Sequence, residues 1–290
     1  MVREIGMTRV SGNETSASNI RIKPLISHSG YLARRANLRV FREFASRVSR
    51  SGSKPVVLDV GCGDKPFASL LDGVYLVGTD LFPSPAADVV ADNAMLPLRE
   101  SSVDGVLASE TLEHTLDYER AINEMIRVCK DGGLLFISVP FMHPIHNPPY
   151  DFQRFTAYRL LHSFRDHEVV TFRASNSIFT AWLMTLGYGI KYASFFLPFS
   201  NALTVVPQIL INSLTVVIEA AADGVWRLAN AITPHGWLNA RIDRKKLRGL
   251  WMAMPAGYAL LIMIKKNRGQ TESAEPLASA KFRLMNLTTP

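Results

Sequence analysis

Short apolar runs alternate with helical stretches through the first two thirds of this chain. Residues 56–60, 103–109 and 134–140 are largely apolar and short, which predicts buried strands. Residues 31–50 carry apolar side chains at helical spacing, and residues 117–130 form a second helical stretch, which the turn at 131–133 is predicted to end. This alternation is typical of a mostly parallel sheet with helices on both faces.

Two further strands are predicted near the end of the pattern. Residues 168–172 are predicted to form one strand, and residues 256–264, followed by two lysines, the last one. The last run is too short for a convincing transmembrane helix. About 75 residues, 176–250, are therefore inserted between the final two strands.

The insertion is strongly apolar, with Lys191 as its single charge between residues 174 and 218. Its second half carries a narrow polar stripe at spacings of three and four: Asn201, Thr204, Gln208, Asn212, Thr215 and Glu219. A helix lying in a membrane interface, or one facing a substrate channel, needs such a stripe. Contact with a membrane surface is favoured, and a membrane hairpin or a lid or oligomer surface remain alternatives.

The first predicted strand leads directly into a glycine turn. Residues 56–64 read VVLDVGCGD, and Asp80 ends the next apolar run, nineteen residues after Gly61. Gly61 and Gly63 let the backbone turn tightly and approach a ligand. A carboxylate at the spacing of Asp80 is typical of one that binds ribose hydroxyls. The pattern predicts a site for an adenosine-containing cofactor.

The motifs that follow occur in a specific order. After LDVGCG at 58–63 and Asp80 come LPL at 96–98, SVDGV at 102–106, LEH at 112–114 and GGLLFISVP at 132–140. Over residues 56–158, this order resembles the class I S-adenosylmethionine-dependent methyltransferases, specifically the small-molecule, type 11-like group. The resemblance implies a doubly wound, Rossmann-like α/β fold with a seven-stranded sheet, mostly parallel with one antiparallel strand. Here the apolar helical insertion is added to that fold.

The resemblance also implies the cofactor, S-adenosylmethionine, and the residues around it. Asp59 and the two glycines would contact its methionine end, Asp80 its ribose, and Asp92 its adenine; Asp59 and Asp92 could instead have local structural roles. Lys65 departs from the pattern, because it stands where the family has a third glycine. The full predicted cofactor set is Asp59, Gly61, Cys62, Gly63, Asp80, Leu81, Asp92, Asn93 and Ser109.

The acids of the glycine turn argue against a dinucleotide. A carboxylate at Asp64 would repel a diphosphate, whereas a sulfonium cofactor carries positive charge. An NAD-dependent dehydrogenase is therefore a minor alternative.

Acceptor chemistry is predicted around two segments that follow strands. Glu113 and His114 follow the fourth strand, and a proline-rich loop at 141–156 follows the fifth. A histidine base oriented by Asp151 is one reading of the loop; the other is a structural Asp151–Arg154 pair, with Thr156 capping the next helix. The candidate bases are His146, His143 and His114, and the candidate substrate contacts are Glu113, Tyr150, Asp151 and Arg154. No metal site is predicted.

Composition narrows the setting. The chain has 290 residues, a net charge of +7 and two cysteines, which indicate neither a disulfide framework nor a metal site. Basic residues cluster at 34–50 and 241–248, the latter beside the apolar insertion and without interleaved aromatics, which favours a membrane surface over nucleic acid. The N-terminal 30 residues lack a secretory pattern. A cytoplasmic location, with contact to the cytoplasmic membrane face, is expected.

The predicted organisation is a mobile tail at 1–30, the core at 31–175, the insertion with its basic end at 176–250, the final core strand at 251–268, and a tail at 269–290. The predicted function is methyl transfer to a hydrophobic or membrane-associated small molecule, most simply at oxygen. A catalytically silent scaffold on the membrane is the main alternative. A homo-oligomer is left open.

Overall fold

The computed structural model describes residues 21–28, 30–194, 200–232 and 255–266. Its centre is a seven-stranded sheet with the order β3-β2-β1-β4-β5-β7-β6. The strands are β1 (Val56–Val60), β2 (Tyr75–Asp80), β3 (Val89–Val90), β4 (Val103–Ser109), β5 (Cys129–Pro140), β6 (Glu168–Ala174) and β7 (Gly257–Met263).

Strand direction follows the predicted fold class. The strands β1 to β5 pair in parallel, and β7 lies antiparallel between β5 and β6. The carboxyl ends of the parallel strands therefore meet at one edge of the sheet, which is where ligands bind in open α/β folds. The predicted fold class is confirmed.

Helices lie on both faces of this sheet. They are α1 (Tyr31–Val48), α2 (Tyr118–Val128), α3 (Ala157–Ser163), α4 (Ile178–Ser194) and α5 (Ser200–Ile232). On one face, α1 packs Phe41 and Phe44 against Phe136. On the other, α2 and α3 pack Met125 and Leu160 into the main core. Thr156 caps α3 by accepting from the Arg159 amide, as predicted.

The predicted end of α2 needs a correction. The helix ends at Val128, and residues 131–133 lie inside β5 rather than in a turn that ends the helix. The reason is pairing with the far end of β7: the Gly132 amide donates to the Ile264 carbonyl, and the Ile264 amide donates to the Gly133 carbonyl. The glycines therefore form an irregularity within β5, where Gly132 has a φ of +72° and the register against β4 shifts.

The N-terminal segment at 21–28 also differs from the predicted mobile tail. Asn212 of α5 donates to the carbonyls of Ile26 and His28, which ties this segment to the helices. The rest of that tail, the basic cluster at 241–248 and the tail at 269–290 lie outside the described residues.

Between β6 and β7, α4 and α5 pack against each other. The polar stripe of α5 faces inward: Gln208, Asn212 and Thr215 are buried, and the carboxylate of Glu219 accepts from the Ser177 amide and the Thr180 hydroxyl. The opposite face is apolar and exposed, as are Trp182 and Leu186 on α4; on α5 it comprises Val205, Val206, Leu210, Leu214 and Val217. Among the described residues, no helix combines the length and apolar character needed to cross a bilayer.

Candidate active site

A cavity of about 580 Å³ opens at the carboxyl edge of the sheet, beside the ends of β1, β2 and β4. This volume is in the usual range for small-molecule sites. A smaller cavity of about 370 Å³ lies at the opposite edge, where Lys130 pairs with Asp104 at 2.7 Å. The predicted cofactor residues surround the larger cavity, so we place the site there.

The glycine turn after β1 forms the floor of this cavity. Gly61 has a φ of +65°, and a Cβ on it would lie 2.5 Å from the methyl group of Thr111. Thr111 is itself fixed, because its hydroxyl donates to the Val60 carbonyl at 3.1 Å. Gly63 has a φ of +50°, with open space where a Cβ would stand. Both positions therefore favour glycine for conformational reasons, and Gly61 requires it for steric ones.

Asp80 ends β2 and is held by backbone amides. The Gly63 amide donates to its Oδ2 at 3.0 Å, and the Phe82 amide donates to its Oδ1 at 3.2 Å. Each carboxylate oxygen keeps a second lone pair for a ligand. Asp80 therefore lines the cavity with acceptor positions free, and its contact with a ribose stays a prediction.

The remaining lining residues include predicted cofactor contacts. Asp92 accepts from the Ala94 amide at 2.8 Å through Oδ1, the local loop-capping bond that was the alternative to a ligand role. Asn93 donates to the Thr115 hydroxyl, while its buried Oδ1 has no partner. Ser109 shares a hydrogen bond with Ser138, and Leu81 lies exposed at the rim.

Three other residues of the glycine loop do not line the cavity. Asp59 is buried beneath it, and burial raises its pKa well above the usual range. Cys62 is also buried, which raises the pKa of its thiol to about 12 and makes it unreactive. The side chain of Lys65 pairs with Asp88, so the departure from the family pattern does not obstruct the cavity.

The cavity is rich in carboxylates. Asp64, Asp80, Asp92, Glu110 and Asp117 line it, against a single arginine, Arg21. This balance disfavours phosphates and favours a ligand with positive charge. S-adenosylmethionine, which carries a sulfonium and an ammonium group, fits the site on this observation.

Next to the cavity lies a cluster made of Glu113, His114 and His146, which we call the Glu–His–His cluster. Glu113 is fully buried, and its Oε1 lies 3.7 Å from Nε2 of His114 and 3.9 Å from Nε2 of His146. Burial, followed by the negative charge of Glu110, raises the pKa of Glu113 well above its usual range. The ring of His143 lies 4.7 Å from that of His146.

The proline-rich loop is held by an ion pair. The carboxylate of Asp151 accepts two hydrogen bonds from Arg154, which also donates to the carbonyls of His143 and Pro144. Burial alone would raise the pKa of Asp151, but the bonds from Arg154 and from the His146 amide lower it. The Asp151–Arg154 pair thus anchors the loop, as the structural reading predicted, while Asp151 also faces His146.

Of the predicted acceptor residues, only His114 and Tyr150 line the cavity; the others lie behind them. The sequence reasoning missed Glu110, Thr111, Phe82 and Phe152, which also line it. Glu110 has a φ of +54°, and the Asn37 amide group of α1 donates to its carboxylate. The position of Glu110 directly after β4 could have identified it from the sequence, since the carboxyl ends of parallel strands meet at the edge where ligands bind.

Comparison with known proteins agrees with this site. Residues 58–137 match the family model of a methyltransferase domain. A segment of 101 residues is 34% identical to the tRNA (carboxymethyluridine(34)-5-O)-methyltransferase of Arabidopsis thaliana, covering 31% of this chain and 24% of that protein. Another of 132 residues is 30% identical to a probable S-adenosylmethionine-dependent methyltransferase of Mycolicibacterium smegmatis, covering 41% of this chain and 49% of that one.

The chain therefore spans about a quarter to a half of the length of these relatives. Among solved structures, the cyclase SpnF is similar with a TM-score of 0.47 and 15% identity, over 79% of this chain and 81% of that one. The family match identifies residues 58–137 as part of a methyltransferase domain of the S-adenosylmethionine-dependent class, and the sheet order of the surrounding core agrees with it. S-adenosylmethionine is its cofactor.

Proposed function

We propose that this protein transfers a methyl group from S-adenosylmethionine to an oxygen atom of a hydrophobic or membrane-associated small molecule. The observation that carries the proposal is the carboxylate-rich cavity, with Asp80 held at its edge by two backbone amides. The outward apolar face of α4 and α5 supports the second half of the proposal, the nature of the acceptor.

Methyl transfer from a sulfonium is an in-line displacement with an activated leaving group. The chain's task is to align the acceptor and exclude water. The glycine turn and Asp80 would hold the cofactor, while Tyr150, Phe82 and Phe152 form an aromatic wall in which neighbouring rings lie 5.5 and 6.4 Å apart. This wall suits an apolar acceptor, which would cover the half-exposed rings when it binds.

An acceptor hydroxyl must also lose its proton or have its oxygen polarised. The Glu–His–His cluster lies where this can occur, because His114 both lines the cavity and belongs to the cluster. Burial lowers the pKa of His143 and of His146, so both rings are neutral at pH 7. A neutral imidazole can accept a proton or bind an electrophile.

The silent-scaffold alternative had a single support, Lys65 in the glycine loop. Its Nζ lies 2.5 Å from Asp88 Oδ2, and the residue is absent from the cavity lining. We therefore propose an enzyme rather than a catalytically silent scaffold.

The test is transfer of a labelled methyl group from S-adenosylmethionine to an organic-solvent extract of bacterial membranes. We expect label in the hydroxyl-bearing, organic-soluble fraction with wild-type protein and a loss of at least about tenfold with Asp80→Asn, because a charge-assisted bond to the cofactor is lost. Asp72→Asn, an exposed acid away from the cavity, is the matched control. Label confined to water-soluble or amine-bearing compounds would contradict the proposal.

A further inference from the structure

Three electron-pair donors converge in the Glu–His–His cluster. Oε1 of Glu113 and Nε2 of both histidines lie within 4.8 Å of one another. Among the residues that the structure describes, neither carboxyl oxygen of Glu113 has a hydrogen-bond partner, although the side chain is fully buried. Ionising a buried carboxyl group that has no donor is costly, and a bound cation would offset that cost.

The proton positions on the two imidazoles follow from their other contacts. Nδ1 of His114 lies 2.8 Å from the Tyr150 carbonyl, which can only accept, so Nδ1 must donate. Nδ1 of His146 lies 3.3 Å from both the Pro144 carbonyl and Oδ2 of Asp151, which are also acceptors. With Nδ1 turned toward these acceptors, Nε2 of each ring is directed toward Glu113.

We infer that Glu113, His114 and His146 bind one divalent transition-metal ion. Two imidazoles with one carboxylate form a ligand set that suits Zn²⁺, Mn²⁺ or Fe²⁺ and leaves open coordination positions. Ligand atoms about 2.1 Å from one ion lie roughly 3–3.5 Å apart, so Oε1 of Glu113 needs to approach each histidine by less than about an ångström, and the most distant pair of ligand atoms by up to about 1.8 Å.

The surroundings of the cluster are those of a metal site. Histidine ligands usually donate their other ring N–H to a carbonyl or carboxylate, which fixes the ring, and both histidines do so here. Arg154 in turn holds Asp151.

The chemical role of the ion rests on the function proposed above. His114 lines the cavity, so the open positions of the ion would face the acceptor. An acceptor hydroxyl bound there loses its proton to water more readily. The oxygen then attacks the methyl carbon, and the C–S bond breaks with its electron pair remaining on sulfur, which yields the methyl ether and S-adenosylhomocysteine.

The test is calorimetric titration of EDTA-treated, dialysed protein with ZnCl₂ and, separately, with MnCl₂. We expect one equivalent of metal per chain. His146→Gln should weaken binding by at least about a hundredfold, because losing even an outer-shell partner costs tenfold to a hundredfold. His162→Gln, the same substitution at an exposed histidine of α3, should bind as the wild type does.

Glu113→Gln keeps the shape of the side chain and should lose binding as well. If it fails to fold, His146→Gln, at a partly exposed side chain, still decides the question. Failure of folded wild-type protein to bind either metal at millimolar concentration, or equal binding by His146→Gln, would overturn the inference. Titration of the same samples with S-adenosylhomocysteine separates this failure from failure of the proposed function.

Discussion

Individual side chains at this site are placed by backbone groups more than by one another. Two amides hold Asp80, a carbonyl holds the hydroxyl of Thr111, and another carbonyl orients the ring of His114. Backbone positions are set by the sheet, so the geometry of the site follows from the fold. This explains why Asp80 and the glycines were predictable from spacing alone.

The Glu–His–His cluster was not predictable in the same way. Its members were named as separate candidates, but their meeting depends on the path of the loop at 141–156, which no periodicity encodes. The Phe152 amide donates to the Glu113 carbonyl at 2.9 Å and brings that loop back over the end of β4. Long-range contacts of this kind leave no local signal in a single sequence.

His28 gives a pH-dependent prediction at the residue scale. Burial, followed by the nearby charges of Arg34 and Lys191 and by His143, lowers its pKa to about 3. Between pH 6.5 and 3 the unfolded chain binds the extra proton, so the folded state loses stability as the pH falls, by up to about 1.4 kcal/mol per pH unit. His28→Gln should remove that slope in urea unfolding at pH 7.5 and 5.5, relative to His162→Gln. Identical slopes in the two variants would contradict this assignment.

At the scale of the elements, α5 is oriented opposite to a usual amphipathic surface helix, which packs its apolar face against the protein. Its polar stripe packs inward against α4 and the segment at 21–28, while its apolar side chains point outward. Gly187 permits close packing here, since a Cβ on it would lie 2.7 Å from the amide oxygen of Gln208. The stripe itself was visible in the sequence. Its direction was not, because spacing alone does not tell which face of a helix meets the protein.

On α5, replacing an inward polar residue should therefore lower the free energy of unfolding more than replacing an outward apolar residue does. Asn212→Leu removes the donor to two carbonyls, and we expect it to lower the free energy of unfolding by about 2–3 kcal/mol. Leu214→Asn, two positions along on the exposed face, should change it by less than about 0.5 kcal/mol. Urea unfolding of both variants is the measurement. A stable Asn212→Leu would mean that the stripe does not face inward.

At the scale of the whole molecule, the seven-stranded sheet with one antiparallel strand was predictable from the order of the motifs, because the resembled family has that sheet. The end of α2 and the packing of the segment at 21–28 could not be predicted in this way, since each depends on contacts with residues far along the chain. The apolar outer face of α4 and α5 forms only when the two helices are packed together, and it leads to a prediction about binding to a lipid surface.

We expect the protein to co-sediment with phosphatidylcholine vesicles that contain phosphatidylglycerol, because apolar burial and the net charge of +7 act together. The double substitution Leu210→Ser with Leu214→Asn should lower this partitioning by at least about tenfold, since two half-exposed leucines lose their burial in the lipid. Equal partitioning of variant and wild type would contradict a role for this face.

The central claim, a cofactor site built on Asp80, is tested most directly by calorimetric titration of S-adenosylhomocysteine into wild-type protein, Asp80→Asn and Asp72→Asn in mild detergent. We predict binding by the wild type and by Asp72→Asn, and affinity weaker by about tenfold to a hundredfold in Asp80→Asn, which corresponds to about 1.5–3 kcal/mol for a lost charge-assisted hydrogen bond. Absence of binding by folded wild-type protein, or unchanged affinity in Asp80→Asn, would contradict the account.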